Sequence, residues 1–194
     1  MTVLTKSYPA PVLSTGEVLR YAKAKPTHEC EALLDSVIKE AEGIFTYKVA
    51  YALLDVKRTE CGIDFGAFST ESKALIKNLG NSPRVIVFGA TVGLNLDRLV
   101  AKYSRLSPAR ALMMNALGAE RIEALCDEFT RDMEKEYGEK LCPRFSPGYA
   151  DLPLAVQKDI FNLLDLPKRI GITLTDTMLM SPTKSVTAFI GMKK

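Results

Sequence analysis

Residues 84–89, with the sequence Arg-Val-Ile-Val-Phe-Gly, form a short and nearly continuous run of β-branched and aromatic side chains. Such a run, closed by a glycine, is typical of a buried strand. Residues 45–51 alternate in the manner of a strand, and residues 61–65 have the composition of another. We expect these last two segments to pair as a two-stranded antiparallel unit.

Helical patterns separate and follow the strands. Ser14 and Glu17 have the spacing of a capping box, and Ser107-Pro108 combines an N-cap with a proline at the first helical position. The predicted helices are one from Ser14, one at 33–41, one capped by Ser69-Thr70 and ending at Leu79, one after Gly93, one from Ser107 to about Tyr137, and one from Asp151 to Pro167. The tail, residues 172–180 and 185–190, is expected to fold as a hairpin. These elements predict an α+β fold with a mainly antiparallel sheet flanked by helices.

The composition narrows the classes of partner. The chain has 194 residues, of which 47% are hydrophobic and 25% charged, and this suits one domain or two small interlocked subdomains. The formal charge is +3 with basic residues scattered among acids, so we expect no nucleic-acid partner. The first residues lack a signal-peptide pattern, and no apolar run approaches the ~20 residues of a membrane span. We therefore expect no membrane association and a cytoplasmic protein with reduced thiols.

Metal and nucleophilic chemistry find little support in the sequence. His28 is the single histidine, and the cysteines lie far apart without a paired motif. They are Cys30, Cys61, Cys126 and Cys142. We predict neither a metal site nor a catalytic residue. Cys142 lies two residues from Arg144, but the sequence favours a buried structural thiol there.

The loop Arg144-Phe145-Ser146-Pro147-Gly148-Tyr149 has the composition of a recognition element. Arg144 offers a planar fork suited to a carboxylate or phosphate, and Gly148 lets a ligand approach the backbone closely. Pro147 removes a donor and makes the turn rigid, while Tyr149 can close over a ring. The alternative is structural: an arginine paired with a neighbouring helix, followed by an ordinary Pro-Gly turn.

The long helix from Ser107 has a predicted buried stripe with several acids beside it. Its buried stripe is predicted at Ile122, Leu125, Cys126, Phe129 and Met133. Glu123 lies about a quarter turn from the centre of that stripe, at the border between core and surface. The other acids are expected to form a solvated face, and on the residue pattern alone Glu123 is expected to belong to it as well; the others are Glu120, Asp127, Glu128, Asp132 and Glu134.

Two motifs in this order resemble the activation domain of cobalamin-dependent methionine synthase. The loop at 144–149 is similar to the family's R-x-x-P-G-Y pattern, and residues 174–186 are similar to its L-T-E-S-x-x-M-x-P-x-x-S-V pattern. A weaker similarity extends upstream to about residue 84. The resemblance implies a freestanding relative with an N-terminal helical and β-hairpin part, 1–83, and an activation-domain-like part, 84–194, within one compact domain.

The resemblance also implies a ligand, S-adenosylmethionine. In the family the loop arginine holds the methionine carboxylate, and the Pro-Gly-Tyr backbone meets the adenosine. A family glutamate that approaches the ligand falls on Glu123. Carried over, the binding residues are Arg144, Ser146, Pro147, Gly148, Tyr149 and Glu123.

The implied partner is a cobalamin-binding methionine synthase or another corrinoid protein, with an electron donor such as a flavodoxin. The chain would assist reductive remethylation of cob(II)alamin on that partner. Three departures stand against full equivalence. Asp176-Thr177 replaces Glu-Ser, an aspartate from the family's N-terminal part has no counterpart in this sequence, and the family continues with paired tyrosines beyond the position of Lys194. The alternative is a non-catalytic interaction module that caps a corrinoid partner without binding S-adenosylmethionine. A third hypothesis is an enzyme acting on another adenosyl or carboxylate ligand.

Overall fold

The structure is a computed structural model, and it describes residues 2–193. Its elements in chain order are β1 (Val3–Tyr8), α1 (Thr15–Ala22), α2 (His28–Glu40), β2 (Tyr47–Asp55), β3 (Lys57–Arg58), β4 (Ile63–Asp64), β5 (Ser69–Thr70), α3 (Lys73–Leu79), β6 (Arg84–Thr91), α4 (Asn95–Leu106), α5 (Pro108–Tyr137), α6 (Val156–Leu164), α7 (Leu166–Ile170), β7 (Thr173–Leu174), β8 (Met180–Ser181) and β9 (Ser185–Met192).

Four strands form the central sheet in the order β1-β2-β6-β9, and each neighbouring pair is antiparallel. β2 and β6 lie in the middle, with Lys48 opposite Thr91 at one end and Asp55 opposite Arg84 at the other. The α+β fold with a mainly antiparallel sheet flanked by helices is therefore confirmed. The sheet combines strands from residues 1–83 with strands from residues 84–194.

Helices cover both faces of the sheet. On one face, Phe129 of α5 meets Tyr51 and Phe88, with ring centroids 5.3 and 4.9 Å away. On the other face, α3, α6 and α7 pack around a cluster that contains Leu166 and Phe189. The strand β6 is buried from both sides, which explains why its sequence is a continuous apolar run rather than an alternating one.

Two predicted strand pairings are wrong. β2 pairs with β1 and β6, whereas residues 63–64 form a short strand that pairs with β3 and β5. The tail is not a simple hairpin either, because β9 pairs with β6, and the short β7 and β8 pair with each other. Ala188 and Ile190 explain this arrangement: both are fully buried beneath α5, a gain in apolar burial that a surface hairpin lacks.

The predicted start of α1 and the extent of α5 are confirmed. The Ser14 side chain accepts a hydrogen bond from the Glu17 backbone N–H, as a helix N-cap should. α5 begins with Pro108 at its first position and ends where Gly138 adopts φ = +64°. Such a left-handed residue is a common helix terminator.

Other predicted helix boundaries are wrong. Ser69-Thr70 forms β5, and Ser72 is the residue that caps α3 by accepting from the Leu75 N–H at 3.1 Å. Pro167 does not stop a helix but lies in the first turn of α7. Serine and proline are both common at helix starts. Their positions in the sequence therefore did not decide which serine caps α3, or whether Pro167 ends one helix or begins the next.

Candidate ligand-binding site

After α5 the chain returns along the outer edge of the sheet. The Cys142 N–H donates to the Gly191 carbonyl at 2.8 Å. Phe145 and Phe189 then exchange two N–H···O bonds of 3.0 and 2.9 Å, which fixes Phe145 against β9. The Phe145 side chain is buried in the cluster beneath α6. Because successive side chains of an extended segment alternate, Arg144 points to the opposite face, toward α5.

Arg144 joins two carboxylates of α5. Its Nη1 donates to Asp127 Oδ1 at 2.6 Å, and its Nη2 donates to Glu123 Oε2 at 2.8 Å. The two acids are four residues apart and so lie one turn apart on the same helix face. Burial opposes the charge of the guanidinium, but the hydrogen bond to Asp127 and the nearby carboxylates raise the pKa of Arg144. The side chain therefore stays cationic, and these two bonds use two of its five N–H donors.

The rest of the loop forms a tight turn beside this ion pair. The Tyr149 N–H donates to the Ser146 carbonyl at 3.2 Å. Gly148 has φ = +85°, a conformation that glycine adopts without strain. Pro147 is buried, whereas Tyr149 is 70% exposed and meets Phe145 edge-on with ring centroids 5.8 Å apart. The tyrosine ring is thus held at the surface by a neighbour that is fixed to the sheet.

Asp151 anchors the far end of the turn. Its carboxylate accepts from the backbone N–H groups of Lys73 and Ala74, at 2.8 and 3.1 Å, and from the Ser72 hydroxyl. The Ser72 hydrogen bond is the main cause that lowers the pKa of Asp151. Asp151 therefore binds the first turn of α3, beside its cap Ser72. The prediction that Asp151 starts the next helix is wrong, because α6 begins at Val156. The turn is held by β9 on one side and by α3 on the other.

A pocket of about 400 Å³ opens beside the Arg144 ion pair, between α1 and α5. Small-molecule sites commonly occupy about 300–1,000 Å³. Glu123 and Asp127 line the pocket, whereas Arg144 and residues 146–149 lie outside its lining. The charged residues of its wall are Glu17, Arg20, Glu120, Glu123, Asp127 and Arg131.

Glu120 and Arg121 form a buried ion pair behind this pocket, so the expectation that Glu120 faces solvent is wrong. Glu120 Oε1 accepts from Arg121 Nη2 at 2.7 Å and from the Ser14 N–H at 3.0 Å. The Arg121 guanidinium also donates to the carbonyls of Pro11 and Val12, at 2.7 and 3.0 Å. Burial opposes the charge of Arg121, but its bond to Glu120 raises its pKa. The pair holds the linker between β1 and α1 on α5.

A larger cleft of about 760 Å³ lies on the other side of that linker, between β1, α2 and α5. Much of its wall is apolar, as at Ile38, Phe45 and Leu117. Arg121 reaches it, but that guanidinium is already bonded to Glu120 and to two carbonyls. A small charged ligand needs charged partners, and the smaller pocket offers more of them. We therefore assign the candidate site to the smaller pocket.

Among the described residues, the other reactive groups do not assemble into a site. Within residues 2–193 no cluster of three or more His, Cys, Asp and Glu side chains could hold a metal ion. None of the helices in that range is long and apolar enough to cross a membrane. Burial raises the pKa of the Cys126 thiol to about 12, which makes it a poor nucleophile. His28 opens α2 at the surface.

The fold and the site define an α+β domain with a charged surface pocket beside an arginine loop. The profile of the family described as vitamin B12 dependent methionine synthase, activation domain, matches residues 74–194, which is more than half of the chain. The chain belongs to this family, and the predicted resemblance is confirmed.

A solved relative supports the same fold. The crystal structure of the MetH reactivation domain bound to AdoHcy is similar with a TM-score of 0.72 and 16% sequence identity. The similarity covers 98% of this chain and 78% of that chain. A search of curated proteins gave no match.

The structure brings together two of the predicted site residues, Arg144 and Glu123. The predicted residues at 146–149 follow in the adjoining turn, and their roles stay predictions. Asp127 was not among the predicted site residues, because it was expected on the solvated face. The available signal was its spacing of four from Glu123, since two carboxylates one turn apart can share one arginine.

Proposed function

We propose that this domain binds S-adenosylmethionine beside the Arg144 loop and presents it to a corrinoid protein. The observation that carries the proposal is the Arg144 guanidinium, which is held at 2.6 and 2.8 Å by two acids that line a pocket of about 400 Å³. The family membership and the neighbour that binds AdoHcy support the choice of ligand. Arg144 has further N–H donors for a ligand carboxylate, and the acids suit an ammonium or sulfonium group.

The loop residues would supply the adenosyl contacts. Tyr149 is exposed and can cover a ring, while the backbone of Gly148 is exposed where a ligand can approach it. Ser146 and Pro147 form the first part of the turn, and the Ser146 carbonyl accepts from the Tyr149 N–H. Glu123 would meet the positively charged part of the ligand, since its side chain is 45% exposed at the pocket wall.

The role of the chain on its partner is binding and orientation. The partner's corrinoid would supply the nucleophile that accepts the methyl group, and an electron donor such as a flavodoxin would supply the reducing equivalent. The exposed Tyr149 turn would lie at the face that meets the partner. Arg144 and Glu123 would position the methyl donor and would not transfer protons.

Calorimetric titration with S-adenosylmethionine and Arg144→Ala tests the binding. We expect saturable binding to the wild type and a loss of about 2 kcal/mol or more, roughly thirtyfold in Kd, for the variant, because a charge-assisted pair is removed. Arg98→Ala is the matched control, since it removes the same charge from an exposed position on α4. Equal affinity of Arg144→Ala and wild type, with both folded, contradicts the proposed site.

Methylation of an inactivated corrinoid partner tests the role beyond binding. The expected result is that adding this chain, S-adenosylmethionine and an electron donor restores the methylated corrinoid, as read from its absorption spectrum. Arg144→Ala should restore it far more slowly at the same ligand concentration. If wild-type chain binds the ligand but leaves the partner unmethylated, the activator role is wrong while the binding site stands.

The second candidate function is an interaction module that caps a corrinoid partner without binding S-adenosylmethionine. The pairing of Arg144 with both Glu123 and Asp127 favours it, because this contact gives the arginine a structural role. The titration separates the two candidates. No heat of binding at millimolar S-adenosylmethionine, together with complex formation with the partner, would leave the interaction module.

A further inference from the structure

The carboxylates at the pocket outnumber the cations that pair with them. Three acids each have an arginine partner: Glu17 with Arg20, Glu120 with Arg121, and Glu128 with Arg131. The fourth arginine differs. Arg144 faces Glu123 and Asp127 together, so this group of three carries one negative charge in excess.

The exposure of the three side chains places that excess charge on the pocket side. The Arg144 side chain is 25% exposed, whereas the Glu123 and Asp127 side chains are 45% and 60% exposed. Glu123 and Asp127 belong to the pocket wall, and the guanidinium binds them from the side of the loop. A ligand that enters the pocket therefore meets carboxylate oxygens before it reaches the arginine.

Asp127 also fixes the direction of the guanidinium. Because each acid takes a different Nη atom, the plane of the guanidinium is held at two points. Without Asp127 the guanidinium would be tied only at Nη2 and could rotate about that bond. Glu123 alone would also neutralise Arg144 completely, and the excess negative charge would disappear.

We propose that Asp127 is a positioning and specificity-determining residue: it holds Arg144 by the guanidinium and gives the pocket the negative charge that selects a sulfonium ligand over the corresponding thioether. The inference rests on the proposed binding of S-adenosylmethionine and deepens it. S-adenosylmethionine carries one positive charge more than S-adenosylhomocysteine, and the two otherwise differ by one methyl group. A carboxylate near the sulfur can therefore separate them by charge.

The expected size of the preference follows from the exposure of Asp127. Opposite unit charges about 4 Å apart in a strongly solvated setting attract by an amount that corresponds to about fivefold in Kd. We expect the wild type to bind S-adenosylmethionine at least about fivefold more tightly than S-adenosylhomocysteine on this scale. Asp127→Asn should reduce that ratio to near one, mainly by weakening the sulfonium ligand, and Asp127→Glu should keep it.

Titration of the full chain with both ligands tests the inference. Asp132→Asn is the matched control, because the same substitution on the same helix neutralises a carboxylate that Lys6 and Tyr8 engage away from the pocket. The control should leave the ratio of the two Kd values unchanged. A second measurement uses the wild type alone: its ratio should fall as salt rises from about 0.05 to 1 M, since screening shortens the reach of the excess charge.

The outcomes separate this inference from the function on which it rests. If the wild type binds neither ligand, the proposed function and this inference both fail. If the wild type binds both ligands and Asp127→Asn weakens them equally, Asp127 is only structural and the inference is overturned while the function stands. The inference is also overturned if the two ligands have nearly equal Kd values for the wild type and their ratio does not change with salt concentration.

Discussion

Replacing Arg121 with methionine should lower the free energy of unfolding by about 3–5 kcal/mol. The substitution leaves the Glu120 carboxylate buried without its partner, because only 5% of either side chain is exposed. It also removes the donors for the Pro11 and Val12 carbonyls, which tie the linker between β1 and α1 to α5. Urea unfolding at neutral pH, followed by circular dichroism, measures the loss.

Two comparisons decide whether the buried charge is the cause. Arg20→Met is the matched control, since Arg20 pairs with Glu17 at the surface, where an ion pair contributes about 0–1 kcal/mol. The double variant with Glu120→Met and Arg121→Met should recover much of the stability lost in the single variant, because no lone charge remains. A loss below about 1 kcal/mol for Arg121→Met would contradict this account.

Local sequence signals were sufficient to predict individual helices and strands. Ser14 and Pro108 mark the starts of α1 and α5 because a cap or a fixed φ acts within one turn of the chain. Gly138 ends α5 for the same local reason. The strand at 84–89 was found because burial on both faces leaves a continuous apolar run.

The strand pairing was not predictable from the same signals. β9 lies beside β6 although nearly a hundred residues separate them, and the chain between them forms α4 to α7. Which strand a segment joins depends on the side chains that cover the finished sheet. For Ala188 and Ile190 these come from α5, and no turn motif near the tail encodes that contact.

The candidate site shows the same contrast between local signals, which the sequence contains, and long-range contacts, which it does not reveal. The residue types of the Arg144 loop predicted a guanidinium fork on a tight turn. In the structure that fork pairs with two carboxylates of α5, as the structural alternative expected, and its binding of a ligand stays a prediction. The two acids could not be told apart from a solvated helix face, since an amphipathic pattern reports burial and not ion pairing. Glu120 was misjudged because its partner is the next residue along the helix, and burial of that pair depends on the linker that crosses it.

Replacing Phe129 with alanine should lower the free energy of unfolding by about 3–5 kcal/mol, the usual cost of removing a fully buried aromatic ring. Phe129 contacts Tyr51 and Phe88 and so packs α5 against the sheet. It follows Asp127 by two residues, so the cavity also loosens the helix that carries both acids of the site. We expect weaker S-adenosylmethionine binding in addition to the stability loss.

The loss of stability should depend on how deeply the replaced side chain is buried and not on its being part of α5. Leu112→Ala is the matched control, because Leu112 lies on α5 with 53% of its surface exposed and its truncation leaves no cavity. Its free energy of unfolding should change by roughly 0.5 kcal/mol or less. Urea unfolding gives the stabilities, and calorimetry at a temperature where both variants are folded gives the affinities. If Phe129→Ala were less stable but bound S-adenosylmethionine like the wild type, the two acids would be positioned by the Arg144 loop and not by the packing of α5 against the sheet.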